Sequence, residues 1–142
     1  SYRRLFATWD APRNTKWGIG NRSCGFRIPS IEEQSMRVEN RISGSDTNPY
    51  LVFAANLAAG YLGIERKIKA STETKKSTFD DKTSSLPKNI DEAIYLFEKD
   101  DDLRKIFGQK FIKTISAIRR VEYQAYLKVI SSWEREYLLL NV

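Results

Sequence analysis

The chain has 142 residues, of which 41% are hydrophobic and 30% charged, a balance that suits one domain with a core and excludes wholesale disorder. It contains no histidine, so histidine-based acid–base catalysis, Ser-His-Asp triads and histidine-containing zinc sites are excluded within this stretch. The net charge is +6, and the part before Ile42 carries eight cations against four acids, or +4 of it. Seven of those eight cations are arginine, whose planar fork suits bidentate binding of carboxylate or phosphate; the plainer reading is a basic surface patch. The single cysteine, Cys24, excludes an internal disulfide, fits a reducing compartment and reads as a small buried hydrophobe. The longest apolar run, 50–64, is interrupted by Asn56 and falls short of the roughly 20 residues that span a bilayer. A cytoplasmic protein without membrane contact is therefore expected. The chain opens at Ser1 without a methionine or a signal-peptide pattern, which reads as a boundary within a longer or processed polypeptide.

In chain order, the first part reads as strands and loops. The runs 15–20 and 24–28 are short, aromatic or β-branched, and punctuated by Gly18, Gly20, Gly25 and Pro29. Asn21-Arg22-Ser23 between them predicts the turn of a hairpin. The glycine spacing matches neither a phosphate loop nor a dinucleotide motif. The run 36–42 alternates: Met36, Val38 and Ile42 share one face, and Arg37, Glu39 and Arg41 the other. Period alone places a wholly charged strand face in solvent; the alternative is that it lines a polar cleft.

A turn-rich loop covers 43–48, and Asn48-Pro49 then opens a helix as N-cap and first helical residue. That helix, running to about Ile68, is apolar almost all round until Glu65, which predicts a buried helix. The Ser-, Thr- and Lys-rich stretch 69–88 predicts a long exposed loop. Helices follow: one capped by Asn89 or Asp91 and running to about Lys99, one over 101–107 ended by Gly108, and a long amphipathic one over 109–130. A terminal helix over 133–140, capped by Ser131 or Ser132, carries an apolar tail that suggests docking onto another surface. The fold class expected is α+β: N-terminal antiparallel strands with active-site loops over 1–48, then a mostly helical part over 49–142.

The arginine-bearing pieces resemble the C-terminal catalytic region of glutamine synthetases. They stand here as Ser1-Tyr2-Arg3-Arg4-Leu5, Asp10-Ala11-Pro12, Asn21-Arg22-Ser23, Phe26-Arg27-Ile28-Pro29, Arg37-Val38-Glu39-Asn40-Arg41 and Asn48-Pro49-Tyr50-Leu51, in that family's order and spacing. The likeness continues through Ala58-Ala59-Gly60-Tyr61-Leu62-Gly63 and Leu86-Pro87 to Val129-Ile130-Ser131-Ser132-Trp133-Glu134-Arg135-Glu136, whose pieces look most like the glutamate–putrescine ligase branch. The strands would then form part of a glutamine-synthetase-type catalytic sheet.

The resemblance implies an ATP-dependent ligase that joins glutamate to ammonia or a primary amine through a γ-glutamyl phosphate. Fixed cations are the natural stabilisers of such anionic intermediates. Carried over by motif, Arg4 and Arg41 would grip the glutamate substrate, and Arg22, Arg27 and Arg37 the transferring phosphoryl group and the nucleotide phosphates. Glu39 would ligate one of two divalent ions, Mg or Mn. The alternation over 36–42 supports the cleft, because it sets alternate side chains about 6.5–7 Å apart on one side. Asp10 stands where ammonia-using members carry Glu to bind and deprotonate ammonium; it keeps that role at longer reach, marks a pocket for a larger amine, or is a loop aspartate. The family's remaining carboxylates and metal-binding histidine are not in this chain, so the stretch alone is expected to be inactive. The resemblance also implies homo-oligomeric rings. Two other classes fit the composition: a basic, aromatic nucleic-acid-binding module and a helical assembly module without catalysis.

Overall fold

The computed structural model describes residues 2, 4–7, 11–79 and 86–139, with only the backbone of 6 and 7. The chain divides into two compact units, Ser1–Lys88 and Asn89–Val142, each taken by itself. The first unit holds a single helical turn α1 (Arg4–Ala7), strands β1 (Trp17–Ile19), β2 (Phe26–Ile28) and β3 (Glu39–Asn40), and helix α2 (Pro49–Glu65). The strands form one sheet in the order β1-β2-β3. Strands followed by helices bear out the expected α+β class, with a turn of helix at α1 where strands and loops were expected.

The predicted hairpin is not there. β1 and β2 run parallel, with Trp17 opposite Phe26 and Ile19 opposite Ile28, and only β2 and β3 are antiparallel. Parallel neighbours normally need a long crossover. Here each strand has three residues, so the loop 20–25 has only a short distance to return. Gly20, at φ 66, lets it turn back in the left-handed region. Asn21-Arg22-Ser23 is therefore a return loop and not a hairpin turn. Asn14, Ser23 and Cys24, in this loop or bonded to it, are 0–5% exposed, which places Cys24 in the core as its size suggests. Burial pushes the Cys24 thiol up from its ordinary value.

The strand expected over 36–42 is paired only at Glu39–Asn40. Met36 and Val38, on the face opposite Arg37 and Glu39, are 58% and 67% exposed. Helix α2 starts as predicted, with the Asn48 side chain accepting from the amides of Tyr50 and Leu51 and Pro49 at the first position. Its predicted burial does not hold within this chain. Ala58 is its one buried residue, while Tyr50, Phe53, Leu57, Tyr61 and Ile64 form a stripe 58–83% exposed. The reason is physical: an all-round apolar helix needs a cover on each face, and among the described residues only one face is covered.

The stretch after α2 also differs from a free loop. Residues 71–79 lie as a strap along β1 and the return loop. Trp17 Nε1 donates to the Ser71 carbonyl at 2.8 Å, and the Thr74 amide donates to the Trp17 carbonyl at 2.9 Å. The strap is exposed yet pinned, and its polar composition hides this because its partners are hydrogen-bonding groups rather than apolar ones.

The second unit holds α3 (Ile90–Lys99), α4 (Asp101–Phe107), α5 (Gln109–Leu127) and α6 (Ser132–Tyr137). Asn89 caps α3, Gly108 at φ 82 ends α4 as predicted, and Ser131, one of the two serines expected, caps α6 in a reciprocal box with Glu134. Residues 140–142 of the apolar tail lie outside the described residues. The core of this unit is Ile94 from α3 against Ile112 and Ser116 from α5.

Arg120 on α5 grips Glu98 on α3 with two parallel bonds, 2.6 and 2.8 Å long. The Arg120 guanidinium holds the Glu98 carboxyl below the usual carboxylate range. A depressed folded pKa contributes stability above the unfolded value and loses it as pH falls through the folded one. Glu98→Gln is therefore expected to destabilise this unit by about 0.5–1 kcal/mol at pH 7, the pair being half exposed. In urea titrations the gap between wild type and variant should close on acidification below the ordinary glutamate range.

Candidate active site

The site grows from the antiparallel pair β2–β3. The register sets Arg27 directly opposite Glu39, and the two side chains meet at 3.0 Å. Arg37, two residues before Glu39, comes to 3.5 Å from its other oxygen, as the alternation predicts. Hydrogen bonding from Arg27, with further attraction from Arg27, Arg37 and Arg41, holds the Glu39 carboxyl below the ordinary glutamate value. Glu39 is thus ionised at neutral pH. The Arg27 Nε is buried and has no hydrogen-bond acceptor among the described residues, so part of this guanidinium has a hydrogen bond to give.

Arg41 continues the charged face and donates from Nε to the Arg22 carbonyl at 3.1 Å, joining β3 to the return loop. Arg4 reaches the same place from α1: its Nη1 donates to the Ile42 carbonyl at 2.7 Å and its Nη2 to the Arg41 carbonyl at 2.6 Å. Five of the predicted site residues, Arg4, Arg27, Arg37, Glu39 and Arg41, are therefore linked to one another or to the return loop that carries the sixth, Arg22. Asp10 lies outside the described residues. On the opposite face of β3, Asn40 donates to the Asn56 side chain at 3.1 Å, which accounts for the one polar residue inside the apolar helix α2.

Arg22 itself is exposed, between Asn21 and the buried Ser23. What fixes it is a polar clamp. Asn14, 5% exposed, donates to the Ser23 carbonyl at 3.1 Å and to Thr78 Oγ1 at 3.0 Å, and accepts from the amides of Lys16 and Gly25. Asn21 donates to the carbonyls of Thr74 and Lys76 and accepts from the amide and hydroxyl of Ser23. Thr78 closes the clamp: its amide donates to Ser23 Oγ at 2.8 Å and its hydroxyl to the Ser23 carbonyl at 2.8 Å. Gly18 permits the close approach, since a Cβ there would stand 2.5 Å from the Thr74 carbonyl oxygen. Between loop and strap opens a cleft of about 490 Å³ lined by Arg22, Asn21, Ser23, Lys75 and Ser77 among others.

Sequence comparison bears on this arrangement directly. Residues 1–138 match the family described as "Glutamine synthetase, catalytic domain". The chain belongs to that family. Glutamine synthetase of Methanococcus voltae is 33% identical over 94% of this chain and 32% of its own length. The gamma-glutamylputrescine synthetase PuuA of Escherichia coli is 30% identical over 99% of this chain and 30% of its own length. The solved structure "Apo GmaS without ligand" superposes with a TM-score of 0.77 at 29% identity, covering 97% of this chain and 32% of that one. The chain thus spans about a third of the length of the relatives it matches.

Glutamine synthetases form C–N bonds and use ATP and divalent metal ions. The cationic residues here suit phosphate, but the donor set for a metal ion is incomplete. Among the described residues no group of three or more His, Cys, Asp and Glu stands together. Glu39 is a lone carboxylate among arginines, whereas a divalent ion takes about six oxygen ligands. The described residues of this chain alone do not fit a metal site. Sequence reasoning found the charged residues and missed the uncharged ones that hold them: Asn14, Asn21, Ser23 and Thr78. The triplet Asn21-Arg22-Ser23 was a signal, read as a turn; Thr78 carried none. Among the described residues no helix is long and apolar enough to cross a membrane.

Proposed function

We propose that this chain supplies the arginine-rich part of the catalytic site of an ATP-dependent ligase that joins glutamate to ammonia or a primary amine. The observation that carries the reading is the convergence of Arg27 and Arg37 on Glu39 and of Arg41 on the Arg22 loop. Arg22 and Arg27 bind the phosphoryl group as it passes from ATP to an oxygen of the glutamate side chain, and Arg37, the most exposed of the three around Glu39, addresses the nucleotide phosphates. The amine nitrogen then attacks the γ-carbonyl carbon, the carbon–oxygen bond to the phosphoryl group breaks, and phosphate leaves. Arg41 and Arg4 bind the glutamate carboxylates; for Arg4 a carboxylate replaces the carbonyls of Arg41 and Ile42, being the stronger acceptor. Asp10 receives the proton of the attacking amine. Glu39 becomes a metal ligand when carboxylates from outside this chain join it. The enzyme assembles as homo-oligomeric rings.

A nucleic-acid-binding module is disfavoured because Arg4, Arg27 and Arg41 address Glu39 or backbone carbonyls instead of presenting a basic surface.

Phosphate release with glutamate, ATP and a panel of ammonia and primary amines tests the reading. The isolated chain is expected to show none above background, because its described residues hold no metal donor set. A polypeptide of the relatives' length, with this chain grafted in place of the matching third of the Methanococcus voltae enzyme, is expected to turn over. Turnover by the isolated chain would refute its dependence on the rest; a folded, assembled graft that releases no phosphate with any amine would refute the ligase reading.

A further inference from the structure

We propose that Lys75, carried on the strap, is a second cation of the anion subsite formed by Arg22, so that the cleft between strap and return loop binds a phosphate-type dianion through both side chains. The inference rests on the ligase reading for Arg22 and extends it to a residue outside the arginine motifs. Arg22 and Lys75 line the same cleft of about 490 Å³, with Asn21, Ser23 and Ser77. Among the described residues no carboxylate lines it, and neither cationic side chain has a hydrogen-bonding or ionic partner there. Two cations lining one cleft, without a partner among the described residues, repel each other, an arrangement that an anion between them relieves.

The strap does not sit there for packing. It is mostly exposed and is held by hydrogen bonds that lead to the Arg22 loop: Asn21 to the carbonyls of Thr74 and Lys76 at 2.8 and 3.0 Å, on either side of Lys75, and Thr78 to Ser23. Asn21 thus fixes the backbone on both flanks of Lys75 while lying next to Arg22 in sequence. That linkage sets the position of one cation relative to the other. Lysine suits the task as a compact charge on a flexible stem, complementing arginine's rigid fork.

The test titrates inorganic pyrophosphate into the whole chain, followed by amide NMR and calorimetry at low salt. Wild type is expected to shift the amides of residues 19–23 and 75–77. Lys75→Gln should weaken affinity about three- to fivefold and flatten its salt dependence, and Lys75→Arg should retain it. Lys113→Gln, on α5 in the other unit, removes the same charge and should leave affinity unchanged. If Lys75→Gln binds like wild type while Arg22→Gln does not, the role of Lys75 is overturned and the reading of Arg22 stands. If Arg22→Gln binds like wild type, the Arg22 reading falls and this inference with it. Equal weakening by Lys113→Gln, or no binding by a folded wild type, overturns the subsite.

Discussion

Arg22→Ala in the grafted, full-length ligase is expected to lower kcat by about 10²- to 10³-fold, the usual cost of removing one preorganised donor to a developing oxyanion. The effect should fall on kcat more than on KM for glutamate, because the group addresses charge that appears during phosphoryl transfer. Arg22→Lys keeps the charge and loses the fork, so it should recover only part of the rate. The same substitution should hardly move stability, within about 0.5 kcal/mol, since the Arg22 side chain is exposed and its structural bond is made by its backbone carbonyl. Rate and urea midpoint measured on one preparation separate the two roles. A loss of rate that tracks a loss of folded protein would make Arg22 structural and remove the central residue of the proposed site.

How much of this was legible beforehand depended on what kind of signal each residue carries. Charge and period are written in the sequence, so the alternation of Arg37, Glu39 and Arg41 announced a shared face, and the β2–β3 register then brought Arg27 to it. Caps are written too: Asn48, Asn89 and Ser131 open helices and Gly108 ends one where their chemistry predicted. Strand direction is not written. A turn-like triplet between two short apolar runs fits a hairpin and a tight parallel return equally, and the choice is made by distant partners: the strap bonded to Trp17 and the loop bonded to Asn14. Hydropathy likewise states that a helix wants burial without stating what buries it. The outer stripe of α2, from Tyr50 to Ile64, is that want without a cover among the described residues. The strap 71–79 was the least legible element, because hydrogen bonding to a neighbour leaves no periodicity behind.

The clamp under the Arg22 loop carries the second large effect. Asn14→Ala is expected to destabilise the first unit by about 2–4 kcal/mol, measured as a shift in the urea midpoint with the slope unchanged. Asn14 is 5% exposed and makes four bonds, two as donor and two as acceptor. Its loss leaves the buried Gly25 amide without this acceptor, and the Lys16 amide and the Ser23 carbonyl each with one partner fewer. Buried groups left unpaired cost more than the net value of the bonds themselves. Thr78→Val, which removes one hydroxyl and keeps the shape, should cost about 1 kcal/mol. Hydrogen exchange distinguishes the clamp from general loosening: in both variants the Thr74 and Thr78 amides should lose protection well before the amides of α5. Gly18→Ala reaches the same end by another route, because its Cβ would force the Thr74 carbonyl, 2.5 Å away, off β1. If all three variants release the strap and also slow phosphoryl transfer in the full-length ligase, while Arg22 is still present, then position rather than charge alone is what the clamp contributes. Unchanged turnover with a released strap would show instead that Arg22 is positioned by β3, through the Arg41 bond to its carbonyl, and that the strap only follows.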